Sequence, residues 1–215
     1  MSRIPSWFNR SIRRGYALLF AFVFIFYIGL SALPAVLMEH GKALPAERLY
    51  RCFRLFCHQL PQRSWFLYGA QPYYPLQAPE GSPMLTFGEA AGFVPAIAEG
   101  KAFFGTPEMG YKMAVCQRDI AIYGAMALFC IIFALSRCSI PAPHWLLPLL
   151  IGVVPIAADG ITQLLGNSFP GIFPFRESGP LLRTVTGALF GFCLCWYLFP
   201  RLESSLKEGD TAPDR

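Results

Sequence analysis

Charge is confined to a few places in this chain, and long apolar runs lie between them. Tyr16 to Met38 is 23 residues without a charge. At ~1.5 Å per residue that is enough to cross a hydrocarbon core about 30 Å thick. The apolar part of a cleaved leader is roughly 7–15 residues, so this run reads as a retained span. Three more apolar runs follow, at about 120–136, 145–165 and 184–200. The third span is broken by Pro148 and Pro155 and carries Asp159 inside it. The pattern predicts an all-α membrane protein with about four transmembrane helices.

The stretch 39–115 is different. From Pro45, the residues Leu49, Cys52, Phe53, Phe56 and Leu60 recur at helical spacing, opposite Glu47, Arg51, Arg54 and His58. This predicts an amphipathic helix lying at the membrane interface, with Pro45 at its start. From 69 to 109 the chain is rich in Pro, Gly, Tyr and Phe without a sustained period, and reads as a long irregular excursion. No sheet pattern and no internal repeat stand out. Residues 1–15 form a basic lead-in, 16–200 one helical membrane domain, and 201–215 a polar, disordered tail.

Composition agrees. Charged residues are 14% of the chain, against about 25% in ordinary soluble domains. The net charge of +5 is modest and sits in flanks and loops. It speaks for membrane orientation and lipid contact, not nucleic-acid binding. Arg3, Arg10, Arg13 and Arg14 precede the first span, Arg137 lies between the second and third, and Arg201 and Lys207 follow the fourth. With four spans these flanks share one side. The positive-inside rule makes that side cytoplasmic, with both termini there and the excursion outside, in a plasma (cytoplasmic) membrane. The seven cysteines include no CxxC pair, and Cys193 and Cys195 read as small packing residues.

On this topology the polar residues gather at one membrane face. Asp159 is the most informative, because a carboxylate on a spanning helix is costly and needs a partner. Asp159, Thr162 and Gln163 share one helix face. Asp159 is either ion-paired to Arg118 or Arg183, or acts with Gln163 as a base, proton carrier or ligand. Cys57, His58, Cys116 and Asp119 are the donor types zinc uses, and Cys116 and Asp119 are one turn apart. The competing readings are a Cys57–Cys116 disulfide, or two plain thiols. Arg63, Arg118 and Arg183, with Thr186, suit an anionic group; headgroup contact or charge balance is the competing reading. Gly187 and Gly191 have the GxxxG spacing of close helix packing, within the chain or between copies.

These residues also carry a resemblance. Cys57-His58-Gln59-Leu60-Pro61-Gln62-Arg63-Ser64, Cys116-Gln117-Arg118-Asp119-Ile120-Ala121-Ile122-Tyr123-Gly124, Asp159-Gly160-Ile161-Thr162-Gln163 and Arg183-Thr184-Val185-Thr186-Gly187 occur in this order. They resemble the motifs of a family of small prokaryotic membrane proteins known as domain of unknown function 2085. The resemblance covers roughly Cys52 to Phe199 and implies a membrane location and a shared polar site, but no activity. Many members of that family carry a second cysteine where this chain has Asp119, which argues against an all-thiolate metal site here.

Three functions follow as expectations, and whether the chain is an enzyme stays open. In the first, Cys57, His58, Cys116 and Asp119 hold zinc or another divalent ion, and the protein acts on a lipid or lipid-linked anionic substrate. The second is a quinone-coupled thiol–disulfide oxidoreductase using Cys57 and Cys116, against which the missing CxxC counts. The third is a non-enzymatic transporter or assembly subunit. There is no nucleotide loop, nucleophile elbow or HExxH.

Overall fold

The structure, a computed structural model, describes residues 6–78, 81–93, 102–169 and 171–211, with backbone only for 6–14, 167 and 208–211. Arg3 and residues 212–215 lie outside the described residues, as do 79–80 and 94–101 of the excursion.

Among the described residues, four helices are long and apolar enough to cross a membrane: α1 (Ser6–Glu39), α4 (Gln117–Leu135), α5 (146–168) and α6 (Pro180–Thr211). Helix α4 is the centre, packed on α1 along one side and α6 along the other. Phe129, Cys130, Phe133, Cys195 and Phe199 fill the core between them. The outward side chains stay apolar: Leu19, Phe22 and Leu164 are each 60% exposed or more, which fits a lipid solvent.

The α4–α6 contact explains the two glycines. A Cβ on Gly187 would come within 2.7 Å of the Arg118 carbonyl oxygen. A Cβ on Gly191 would overlap the Ile122 carbonyl. The GxxxG spacing therefore serves close packing of α6 on α4 within the chain.

Helix α5 is not uniform. After one α-turn at Leu146–Pro148, Leu149–Val153 form a π turn, and the α-helix resumes at Val154. Pro155 gives the reason. It has no N–H to donate and its ring would press on the carbonyl four residues back, so the wider π turn relieves the strain.

Outside the spans, α2 (Ala43–Phe53) is the amphipathic helix, turned from the expected stripe. It buries Ala46, Tyr50 and Phe53, while Leu44, Leu55 and Phe56 stay 72–85% exposed at its ends. Tyr50 sets the rotation, since its hydroxyl donates to the Lys112 carbonyl oxygen at 2.5 Å. The exposed Leu and Phe suit a membrane interface.

The excursion is more regular than expected. Strands β1 (Ser64–Leu67), β2 (Gly105–Thr106) and β3 (Gly110–Cys116) form an antiparallel sheet in the order β1-β3-β2. A short helix α3 (Phe87–Ala91) is capped by Thr86 and Glu89 in a reciprocal box. Phe66, Tyr74, Phe87 and Met109 make its own small core. The tail expected to be disordered from 201 is helical through Thr211 instead. Glu203 ties it down, accepting from Tyr16 at 3.2 Å and pairing with Lys207 one turn on.

A candidate site where the second span begins

Two polar groups meet where β3 becomes α4. The first is built by the turn after α2. The Cys57 N–H still bonds to the Phe53 carbonyl, and the chain then reverses at Gln59, whose φ of 55° is left-handed. That costly conformation is held by three buried bonds. Gln59 Nε2 donates to the Tyr50 carbonyl at 2.8 Å, Lys112 Nζ donates to the Gln59 carbonyl at 2.6 Å, and Tyr50 returns to Lys112. The sheet finishes the alignment: Ser64 pairs with Cys116, and Gln117 Nε2 donates to the Ser64 carbonyl at 3.2 Å. Cys57 thereby arrives beside Cys116, the N-cap of α4, and Asp119 in its first turn.

The donor atoms of Cys57, Cys116 and Asp119 all lie within 4.8 Å of one another. Both cysteines are free thiols. The hydrogen bond with Cys116 holds the Cys57 thiol below its ordinary pKa. The same bond, with burial, holds Cys116 well above its own. His58 does not join them. It is exposed, because adjacent side chains at the reversal point opposite ways. Three of the four expected donors thus stand together.

The second group surrounds Asp159. Its Oδ2 accepts from Arg118, and its Oδ1 accepts from Ser178 and, at 3.1 Å, from Arg176. Arg176 also donates to Thr162 Oγ1. Both carboxylate oxygens are occupied, so Asp159 is an ion-pair hub and no ligand of the thiol group. Arg118 was one of its two expected partners. Arg183, the other, pairs with Glu177, which is also held bidentately by Arg63 at 2.8 and 3.1 Å. Burial pushes Glu177 up, but the bonds and charges of Arg63 and Arg183 outweigh it and leave its carboxyl below the ordinary value. Gln163 is buried one turn beyond Asp159. Thr186 is buried too, but its hydroxyl donates to the Leu182 carbonyl of its own helix. A cavity of about 130 Å³ opens beside Gln62, Glu177 and Ser178, roofed by Tyr73, Pro75 and Leu76.

Arg176, Glu177, Ser178 and Lys112 escape a reading by spans and motifs. The first three sit in a short connection after α5, and Gly166 lets it cross: a Cβ there would meet the Pro174 carbonyl at 2.6 Å. The visible signal was the Arg-Glu-Ser run itself, three polar residues entering a span beside Arg183. Lys112 stands in a strand covered on both faces, and burial, then Arg54, pushes its amine down to about 7.

Two outcomes are expected. Asp159→Asn leaves Arg118 and Arg176 facing a neutral amide, and breaking such a buried pair costs about 3–5 kcal/mol. The unfolding midpoint in detergent should drop steeply; an unchanged midpoint would show that the hub holds nothing. Lys112 has the opposite sign to a paired lysine. Between pH 7 and its ordinary 10.5 the unfolded chain binds a proton that the folded chain lacks. Its contribution to stability therefore rises with pH across that window and is flat below it. Lys112→Met should remove that part of the slope in thermal melts from pH 7 to 10, and identical slopes would refute the assignment.

Comparison with known proteins agrees with the membrane reading. The family model described as "Predicted membrane protein (DUF2085)" matches residues 108–197, from just before β3 to the middle of α6. An uncharacterised protein of Methanocaldococcus jannaschii is similar to this chain, 30% identical over 156 residues, covering 71% of this chain and 67% of the relative. No solved structure matches. The chain belongs to the DUF2085 family of membrane proteins.

Proposed function

We propose that this chain is a metal-binding membrane protein acting on a lipid or lipid-linked substrate that bears an anionic group. The observation that carries the metal is the grouping of Cys57, Cys116 and Asp119 donor atoms within 4.8 Å. Around tetrahedral zinc, with Zn–S bonds of about 2.3 Å, ligand atoms sit roughly 3.5–3.8 Å apart. Closing the group onto an ion thus needs side-chain shifts of only about 1 Å. Two sulfurs and one carboxylate favour zinc over magnesium or calcium. Three protein ligands leave a coordination position for water or a substrate oxygen, the count of catalytic rather than structural zinc. The anionic group falls to the arginines, with Asp159 and Glu177 fixing their planes.

A second reading has its own observation. Cys57 and Cys116 are hydrogen-bonded to each other, one thiol acidified and the other not. That is the division of labour between the attacking and resolving thiols of a dithiol oxidoreductase. Both readings use the same sulfurs and exclude each other in one molecule.

Metal content and free thiols, measured together on protein purified without chelator, separate them. The metal reading expects close to one zinc per chain in wild type and His58→Ala. Cys57→Ser and Cys116→Ser should lose it, and Asp119→Asn should hold less. A metal-poor wild type with Cys57 and Cys116 oxidised to each other would replace the metal with the disulfide.

The basic flanks support an extracytoplasmic site. Single cysteines at Ser82 and Ser205 in a cysteine-free background test this with an impermeant maleimide on intact cells. Position 82 should label and 205 should not; the reverse pattern would move the site to the cytoplasmic face.

A further inference from the structure

Two buried donors near Asp159 have no acceptor among the described residues. Arg118 gives one Nη to Asp159, yet its Nε is enclosed and unbonded. Gln163 stands one turn beyond Asp159 on the same helix face, 5% exposed, and its Nε2 is equally unbonded. Burying a donor without an acceptor is costly, so two of them beside one hub point to a ligand that accepts.

The charges say what kind. Arg118 and Arg176 share the one carboxylate of Asp159, and Arg63 and Arg183 share that of Glu177. Each carboxylate is thus outnumbered two to one by guanidiniums, and the group around Asp159 carries one guanidinium in excess. Asp119, the next acid along α4, faces the thiols instead. Arginine stays charged in such a site, so the excess favours an anion. A carboxylate ligand would offer two oxygens. A phosphate group offers three or more acceptor oxygens, enough for the two free donors and for the guanidinium of Arg176 together. Arg176, whose side chain is 40% exposed, leaves an approach open.

We infer that Arg118, Arg176 and Gln163 form a subsite for a phosphate group, free or carried by a lipid headgroup. The inference rests on the anionic-group half of the function proposed above and is independent of its metal.

The test uses the full chain with two probes: inorganic phosphate on protein in detergent, and phosphatidic acid on protein reconstituted in phosphatidylcholine nanodiscs, with phosphatidylcholine alone as the blank. Wild type should bind at least one probe, with a raised unfolding midpoint. Gln163→Leu and Arg176→Gln should each weaken binding about tenfold or more. Lys42→Gln, an exposed site outside the cluster, should leave it unchanged. Binding of phosphatidic acid alone assigns the phosphate to a headgroup, and binding of inorganic phosphate assigns recognition to the phosphate itself. Should Gln163→Leu fail to fold, Arg176→Gln decides, since its side chain is well exposed and Asp159 keeps Arg118 and Ser178. Binding of neither probe, or binding undiminished in the folded variants, overturns the subsite. Zinc measured on the same samples keeps the two readings apart: phosphate bound by metal-free protein sinks the metal alone, and zinc-loaded protein blind to both probes sinks this subsite alone.

Discussion

An ionised carboxylate on a membrane helix has no water to lean on, and it stays only where cations reach it. Asp159 meets that demand with Arg118 from the first turn of α4, and with Arg176 and Ser178 from the connection after α5. Three separate stretches of chain are thereby joined at one point. The close α4–α6 approach at Gly187 and Gly191 holds Arg118 at the right depth, because its own carbonyl rests against Gly187. Arg183, Glu177 and Arg63 then extend the ionic chain to the turn that follows Cys57.

The first turn of α4 serves two groups at once. Cys116 and Asp119, three residues apart, face the Cys57 thiol, while Arg118 is rotated away toward Asp159. The junction of a strand and a helix suits this role. The strand register fixes Cys116 against Ser64, and the helix sets the directions of the next three side chains. Packing of Tyr50, Gln59 and Lys112 beneath the turn supplies rigidity in a part of the chain outside the spans.

Much of this was legible in the sequence. The four apolar runs, the interfacial helix and the gathering of Cys57, Cys116, Asp119, Arg118 and Asp159 follow from hydropathy and from the cost of charge in lipid. What stayed hidden was settled by tertiary pairing. The strand Gly110–Cys116 is buried on both faces and includes a lysine, so it shows no alternation of apolar and polar residues. His58 sits in a motif beside a ligand-type cysteine, yet a left-handed residue next to it decides which way the chain faces. Glu177 lies in a connection between spans, and only the crossing at Gly166 carries it to Arg63 and Arg183.

The π turn at Leu149–Val153 has a bearing on how such a helix tolerates change in length. A π turn is one residue more than an α-turn would hold, and each residue of an α-helix advances the face by about 100°. The wider turn absorbs its surplus residue, so the segment entering at Leu146 and the segment carrying Asp159 keep nearly the phase of one continuous α-helix. Losing a single residue inside the π turn would close it to ordinary α geometry and leave the Asp159 face in place, whereas losing one between Val154 and Asp159 would swing the carboxylate about 100° away from its partners, with the remaining side chains left chemically intact. Span length in this protein is thus a matter of angle as well as of thickness.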